Sequence, residues 1–251
     1  MTFVDFIWGA PRYRATALGH PGAVVALSIL FMAAGPLIAA GVLWQLPLIV
    51  GPSHPFAFNP GHPPGTSLLM LAALVSQISI VVLVLLAAWF PGAFGSLLLK
   101  KPEEGWGACL HALGVMAVLV AVLNAVAFTV ARPEVERDLA QMLRMVHADG
   151  LPVIALAIGL GAPLSEELLF RGYMISGMAA TRIGFWPSAL VTTLLWTGLH
   201  STYTWVGLTE VFCIGVYFSW VLWRTGSLLP GLVCHAVYNS GLLILFRFWP
   251  F

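Results

Sequence analysis

Residues 67–90, SLLMLAALVSQISIVVLVLLAAWF, form an apolar run that contains no Asp, Glu, Lys or Arg. A transmembrane helix needs roughly 20 mostly apolar residues to cross about 30 Å of hydrocarbon, because each residue adds about 1.5 Å. This run has the required length and composition. It therefore predicts a helix that spans a membrane.

Six further runs reach or approach the same standard. Their approximate limits are 23–44, 108–131, 152–178, 185–200, 203–223 and 228–248. The run at 152–178 contains charged residues, and the run at 185–200 is short. The sequence therefore predicts an all-α fold, a polytopic transmembrane helix bundle of about seven spans.

The composition supports a membrane protein and excludes other classes. Of the 251 residues, 60% are hydrophobic and 8% are charged, and the mean hydropathy is +0.94. A soluble domain has about 25% charged residues, so this chain has too few charges to cover a surface that faces water. Because the net charge is +1 and Lys and Arg do not cluster, we expect no nucleic-acid partner.

Residues 1–251 are predicted to form a single membrane domain. Residues 1–150 contain scaffold spans and an amphipathic segment at 132–150, which we expect to lie along the membrane interface or to fold over the site. Residues 151–245 contain the spans with polar motifs. Lys and Arg outside the spans, six on one side and four on the other, favour a cytoplasmic N-terminus. In a prokaryote, the membrane would be the plasma membrane.

Ionisable side chains inside the predicted spans are few and lie almost entirely in the second half of the chain. Such a group costs several kcal/mol in hydrocarbon unless it is paired, hydrated or neutralised, so it indicates function. These residues and their amide neighbour are Glu166, Glu167, Arg171, His200, Glu210, His235 and Asn239. Apart from Glu210, which we expect to lie outside the chemistry, they predict a polar catalytic cavity inside the bundle.

Helical spacing divides these residues into groups. Glu167 and Arg171 are four residues apart and share a helix face, as do His235 and Asn239. Glu166 is rotated by about 100° from Glu167, so the two carboxylates need not serve the same partner. One division pairs Glu167 with Arg171 and leaves Glu166 for chemistry. The opposite assignment remains an alternative.

A carboxylate, two imidazoles and an amide in a semi-dry cavity suit the hydrolysis of an acyl bond. Glu166 with His200 would hold and deprotonate a water molecule. His235 and Asn239 would donate hydrogen bonds to the tetrahedral oxyanion. The sequence contains no Gly-x-Ser-x-Gly motif, so a serine nucleophile of that kind is not expected.

A zinc site is the alternative use of the same residues. Glu166, His200 and His235 would supply one oxygen and two nitrogen ligands and leave a position for water. The HExxH helix that is typical of zinc proteases is absent from the sequence, and Asn239 would be a poor zinc ligand. Hydrolysis without a metal is therefore the favoured prediction.

Three motifs resemble those of the CAAX protease and bacteriocin-processing family of intramembrane endopeptidases, which includes the type II CAAX prenyl endopeptidases. The Glu-Glu-x-x-x-Arg motif is matched by EELLFR at 166–171, and the His-x-x-x-Asn motif by HAVYN at 235–239. The Phe-x-x-x-His motif is approximated by WTGLH at 196–200, where Trp196 replaces Phe. The motifs occur in the family's order.

This resemblance implies a protease in which the first glutamate activates water with the first histidine as its partner. It implies that the last histidine and the asparagine form the oxyanion site, and it gives eight spans as the alternative to the count of seven. The substrate would be a prenylated C-terminal tail or a leader or bacteriocin-like peptide, met within membrane lipid. A proton-coupled transporter and a non-catalytic scaffold or immunity protein are the other classes considered.

Overall fold

The computed structural model describes residues 2–51 and 64–248. A short 3-10 turn at Phe94–Leu97 follows the third helix. The helices are α1 (Phe3–Trp8), α2 (Pro21–Val50), α3 (Thr66–Trp89), α4 (Gly107–Val130), α5 (Arg132–Val146), α6 (Leu151–Ala179), α7 (Phe185–Gly198), α8 (Trp205–Thr225) and α9 (Leu229–Arg247).

The all-α prediction is confirmed, since the described residues contain helices and connections but no β-strand. Within the described ranges, six helices are long and apolar enough to cross a membrane, namely α2, α3, α4, α6, α8 and α9. The chain is therefore an integral membrane protein with a polytopic helical fold.

The number of long spans differs from the predicted seven and from the alternative of eight. The run at 185–200 forms α7, which has 14 residues and extends about 21 Å, less than the hydrocarbon thickness. Small and hydroxyl side chains such as Ser188, Ala189 and Thr192 are buried on one of its faces. This face allows α7 to pack closely against α6 and α8 instead of forming a full span.

The first two long helices pack against each other. α2 and α3 approach each other closely at Gly35, where a Cβ atom would lie 2.7 Å from the Ser76 hydroxyl and 3.0 Å from Ile80. A larger residue at this position would separate the two helices. The helices of the second half are more interior, because half of the apolar stretch of α6 is buried by protein, compared with 6% of that of α4.

α6 carries two π-helical stretches, Ala157–Gly161 and Glu167–Ile175. In the first, the amide of Ala162 donates to the carbonyl five residues earlier, so it does not serve the carbonyl of Ile158. The next residue is Pro163, which has no N–H to donate. The Ile158 carbonyl therefore needs a partner from another helix. π-helical stretches are rare and often lie at functional sites.

α5 lies within the amphipathic segment predicted at 132–150, and it packs against α4, α8 and α9. The Asp138 carboxylate accepts the Thr204 amide at 3.0 Å and the Thr204 hydroxyl at 2.7 Å, at the start of α8. A Cβ atom at Gly207 would lie 2.5 Å from this carboxylate, so glycine permits the close approach. The segment thus covers a cavity within the bundle.

Candidate active site

A cavity of about 320 Å³ lies between α4, α5, α6, α7, α8 and α9. Its outer wall is apolar and includes Leu139 and Met142 of α5. The polar side chains that line it are Asn124, Asp138, Glu166, His200, Tyr203, Glu210, His235, Tyr238 and Asn239. The cavity therefore combines carboxylates, imidazoles and an amide in a largely apolar enclosure.

Glu166 faces this cavity. Its side chain is 21% exposed, whereas that of Glu167 is 1% exposed. The Trp196 indole N–H donates to Glu166 Oε2 at 2.5 Å, and His235 Nε2 lies 3.9 Å from the same oxygen. The carboxylate is thus oriented by the indole and remains close to an imidazole.

Glu167 lies on the closed side of the same helix, in an ion-pair network. Its Oε1 is 3.2 Å from Arg171 Nη1 and 3.1 Å from His235 Nδ1. The Arg171 guanidinium also donates to the Gly215 carbonyl at 3.1 Å and lies 4.5 Å from the centroid of the Trp196 ring. Because Glu167 and Arg171 are fully buried, their charges compensate each other away from water.

Both histidines are oriented through their Nδ1 atoms. His200 Nδ1 is 3.0 Å from the Trp196 carbonyl, and a carbonyl only accepts, so this nitrogen carries a hydrogen. His235 Nδ1 faces the Glu167 carboxylate in the same way. In a neutral ring the proton then resides on Nδ1, which leaves the Nε2 lone pair free. Both histidines line the cavity, and their Nε2 atoms are the ring nitrogens that remain available to it.

Asn239 provides the partner that the Ile158 carbonyl needs. Its side-chain nitrogen donates to this carbonyl at 2.9 Å, at the π-helical stretch where Pro163 cannot donate. α9 thereby fixes the backbone of α6 two turns before Glu166. One of the two amide hydrogens of Asn239 is used in this contact.

Tyr203 lies between α7 and α8, beside the three carboxylates of the cavity. Burial raises the pKa of its phenol above the usual value, and the nearby charges of Asp138, Glu166 and Glu210 act in the same direction. The phenol therefore stays protonated at neutral pH. It can serve the cavity as a hydrogen-bond donor.

The structure brings four of the predicted site residues to the cavity, namely Glu166, His200, His235 and Asn239. The other two, Glu167 and Arg171, pair with each other behind it, as in the first of the two divisions. Trp196 is not among the predicted site residues, because the sequence shows only that it replaces the Phe of the family motif. The signal in the sequence was the indole N–H, which Phe lacks.

The geometry of the described residues gives no support to the zinc alternative. Among residues 2–51 and 64–248, no three His, Cys, Asp or Glu side chains are grouped closely enough to hold a metal ion. The Trp196 indole donates to Glu166 Oε2, so this oxygen already has a hydrogen-bond partner. The set of Glu166, His200 and His235 is therefore not assembled as a metal site.

These features define a class of protein, a polytopic helical membrane protein with a buried Glu–Arg–His network beside a cavity lined by carboxylate and imidazole groups. Residues 148–241 match the family model described as Rce1-like, type II CAAX prenyl endopeptidase Rce1-like. The match contains all three motifs and confirms the resemblance drawn from them. It covers the part of the chain from just before α6 into α9.

Two curated relatives are similar over part of the chain. An "Uncharacterized 24.3 kDa protein" of Escherichia coli is 38% identical over 82 residues, which are 32% of this chain and 38% of that protein. The UPF0177 protein YxdF of Lactococcus lactis is 26% identical over 82 residues, which are 33% of this chain and 44% of that protein. The chain thus spans less than half the length of these relatives. No solved structure matches the chain.

Proposed function

We propose that this protein is a CAAX-type intramembrane endopeptidase that hydrolyses a peptide bond near the membrane surface. The observation that carries the proposal is the shared cavity, which Glu166, His200 and His235 all line. The family match over residues 148–241 supports the same class of reaction. The closed network of Glu167 and Arg171 supports it indirectly, because it leaves Glu166 free for chemistry.

Glu166 is the general base in the proposed reaction. Its carboxylate takes a proton from water while the water oxygen attacks the carbonyl carbon of the scissile amide, and a tetrahedral oxyanion forms. His200 Nε2 accepts a hydrogen bond from the second O–H of the water and thereby orients the water molecule. The oxyanion then collapses, the C–N bond breaks, and the protonated Glu166 returns its proton to the leaving amine.

His235 and Asn239 are the proposed oxyanion donors. Asn239 uses one amide hydrogen on Ile158, so the second hydrogen is available to the oxyanion. His235 is held at Nδ1 by Glu167 and presents Nε2 to the cavity, where it would donate to the oxyanion when that nitrogen carries a hydrogen. Donors held in advance in a water-poor site stabilise the developing charge without reorganisation.

The proposed substrate is a peptide or protein tail that enters from the membrane surface beneath α5. Prenylated C-terminal tails and leader or bacteriocin-like peptides are the two classes to compare. The apolar outer wall around Leu139 and Met142 suits a substrate that arrives from lipid. In this proposal the N-terminus is cytoplasmic, and the membrane of a prokaryotic host would be the plasma membrane.

The proposal is tested with purified protein in lipid nanodiscs and a panel of prenylated and unmodified peptides, with cleavage followed by mass spectrometry. We expect Glu166→Gln to lower kcat/KM about 10²- to 10⁴-fold, and His200→Ala and His235→Ala to cause large losses as well. Glu136→Gln is the matched control, because Glu136 is exposed and pairs with Arg132 outside the cavity.

Two results would contradict parts of this proposal. Cleavage by the wild type that persists in Glu166→Gln, His200→Ala and His235→Ala would remove the assigned site. Loss of cleavage with a chelator, restored by added zinc, would replace the metal-free reaction with the zinc alternative. We expect a chelator to leave cleavage unchanged.

A further inference from the structure

Glu210 is a second carboxylate on the cavity wall, and the proposed reaction does not use it. It belongs to α8 and lines the same cavity as Glu166. Its Oε1 accepts two hydrogen bonds, from Asn124 Nδ2 of α4 at 3.1 Å and from the Tyr238 hydroxyl of α9 at 2.9 Å. Donors from two neighbouring helices therefore hold this side chain in one orientation.

The two oxygens of Glu210 have different surroundings. Within the described part of the chain, both hydrogen bonds to the carboxylate end on Oε1. Oε2 accepts neither of these bonds, and it does not belong to the side-chain atoms that are fully enclosed without a hydrogen bond. Because Glu210 lines the cavity and Oε1 holds both hydrogen bonds, Oε2 is left as the oxygen that can accept from an entering group. A cavity-facing carboxylate oxygen is an acceptor for a group that enters.

The other two carboxylates of the cavity are already engaged. Asp138 uses one oxygen on the Thr204 amide and the other on the Thr204 hydroxyl. Glu166 is oriented by Trp196 and is the proposed base. Of the described side chains that line the cavity, none is Lys or Arg. Glu210 is thus a carboxylate in the cavity without a cation beside it.

We propose that Glu210 forms a subsite for a cationic side chain, Lys or Arg, of the peptide substrate. This inference rests on the proposed function and names a feature of its substrate. A sphere of the cavity's volume would be about 8–9 Å across, which is about two to three residues of extended chain. The cationic residue therefore lies within about three residues of the scissile bond.

The walls around Glu210 suit such a side chain. Val206, Val211 and Ile214 of the same helix line the cavity beside the carboxylate. The methylene stem of Lys or Arg packs on apolar surface of this kind while its charged end reaches a polar partner. An ionised carboxylate in apolar surroundings is expensive without a counter-charge, so an entering cation is strongly favoured over a neutral side chain.

A purely structural role for Glu210 makes a different prediction. In that role the residue acts only through Oε1, by connecting α8 with Asn124 and Tyr238. Glu210→Gln separates the two roles, because the amide oxygen can accept both hydrogen bonds while an NH₂ group replaces the oxygen that faces the cavity. A structural residue would therefore tolerate this variant with any peptide, whereas a cationic subsite would lose its preference.

The experiment compares neutral peptides that carry a single Lys at each position with peptides that carry norleucine at the same position. Cleavage of each pair is measured as a ratio of kcat/KM in wild type and in Glu210→Gln, so that differences in folded fraction cancel. Binding of the same fluorescently labelled pairs is measured in the Glu166→Gln background, with and without Glu210→Gln. The binding measurement does not depend on turnover.

We expect wild type to prefer Lys over norleucine about tenfold or more at one position, and Glu210→Gln to reduce that ratio to within about twofold. Equal use of Lys and norleucine peptides by wild type would overturn the subsite, and so would a preference that persists in Glu210→Gln. A Glu210-dependent binding preference without cleavage would retain the subsite and reject the proposed function. Absence of both cleavage and binding would reject both.

Discussion

Glu166 and Glu167 are consecutive residues of α6, but Glu166 lines the cavity whereas Glu167 is buried in the protein. Glu167 is enclosed with Arg171 and the Nδ1 atom of His235, and its side chain is 1% exposed. Glu166 opens on the cavity and keeps contact with His235 Nε2 at 3.9 Å. One step of helical rotation thus separates an enclosed carboxylate from one that faces the cavity.

The two sides depend on each other through His235. The closed side fixes this ring at Nδ1, and the cavity side receives its Nε2. A group that acts in catalysis must be held in a defined orientation, and a rigid ion-pair network does this well. The comparison predicts that changes on the closed side reduce stability, whereas changes on the cavity side mainly reduce activity.

The largest effect is expected for Arg171→Ala. This variant leaves the buried carboxylate of Glu167 without its cation and removes one donor from the Gly215 carbonyl, which keeps the Ser219 hydroxyl. Removal of one partner from a buried ion pair lowers the free energy of unfolding by about 3–5 kcal/mol. Chemical unfolding in detergent, followed by Trp fluorescence, measures this change.

The chain offers a matched control for Arg171→Ala. Arg132 and Glu136 form another pair four residues apart, but both side chains are exposed, at 71% and 56%. Arg132→Ala should change the free energy of unfolding by less than about 0.5 kcal/mol, because exposed pairs contribute little. Equal losses of unfolding free energy in the two variants would mean that the buried pair of Glu167 and Arg171 stabilises the fold no more than an exposed pair does.

A smaller effect is expected for Asn239→Ala, which removes the donor to the Ile158 carbonyl. Because this hydrogen bond is partly buried, its loss should cost about 1 kcal/mol. Hydrogen exchange by mass spectrometry should show faster exchange of the amides at 157–162, the first π-helical stretch and the residue after it. Val237→Ala is the control, because Val237 is exposed on the same helix. Unchanged exchange would show that Asn239 does not hold the backbone of α6.

Most of the fold could be predicted from the sequence because hydropathy and length are local properties. The long spans follow from apolar runs such as 67–90, which forms most of α3. The run at 185–200 is already short in the sequence, but only the structure shows that it forms a 14-residue helix that packs against α6 and α8. The position of α5 over the cavity depends on the Asp138–Thr204 contact, which joins distant parts of the chain.

The sequence predicts which residues belong to the candidate site, but it does not predict which of them face the cavity and which are enclosed. The spacing of Glu167 and Arg171 allows the observed pair, but it does not indicate which side of α6 faces the cavity. The role of Asn239 toward Ile158 depends on a π-helical register that residue patterns do not reveal. The direction of the Trp196 indole likewise depends on tertiary packing.

The smallest effect is expected for Trp196→Phe, which restores the residue that the family motif usually has. Phe keeps an aromatic ring beside Arg171 but removes the N–H that orients Glu166 Oε2. We expect kcat/KM to fall about tenfold, equivalent to about 1.4 kcal/mol, because the carboxylate loses its fixed orientation toward water. Trp89→Phe, at an exposed position of α3, is the control for loss of an indole. A Trp196→Phe enzyme as active as the wild type would show that Glu166 does not need the indole N–H for its orientation. The Trp196 ring would then serve only as a packing partner of Arg171.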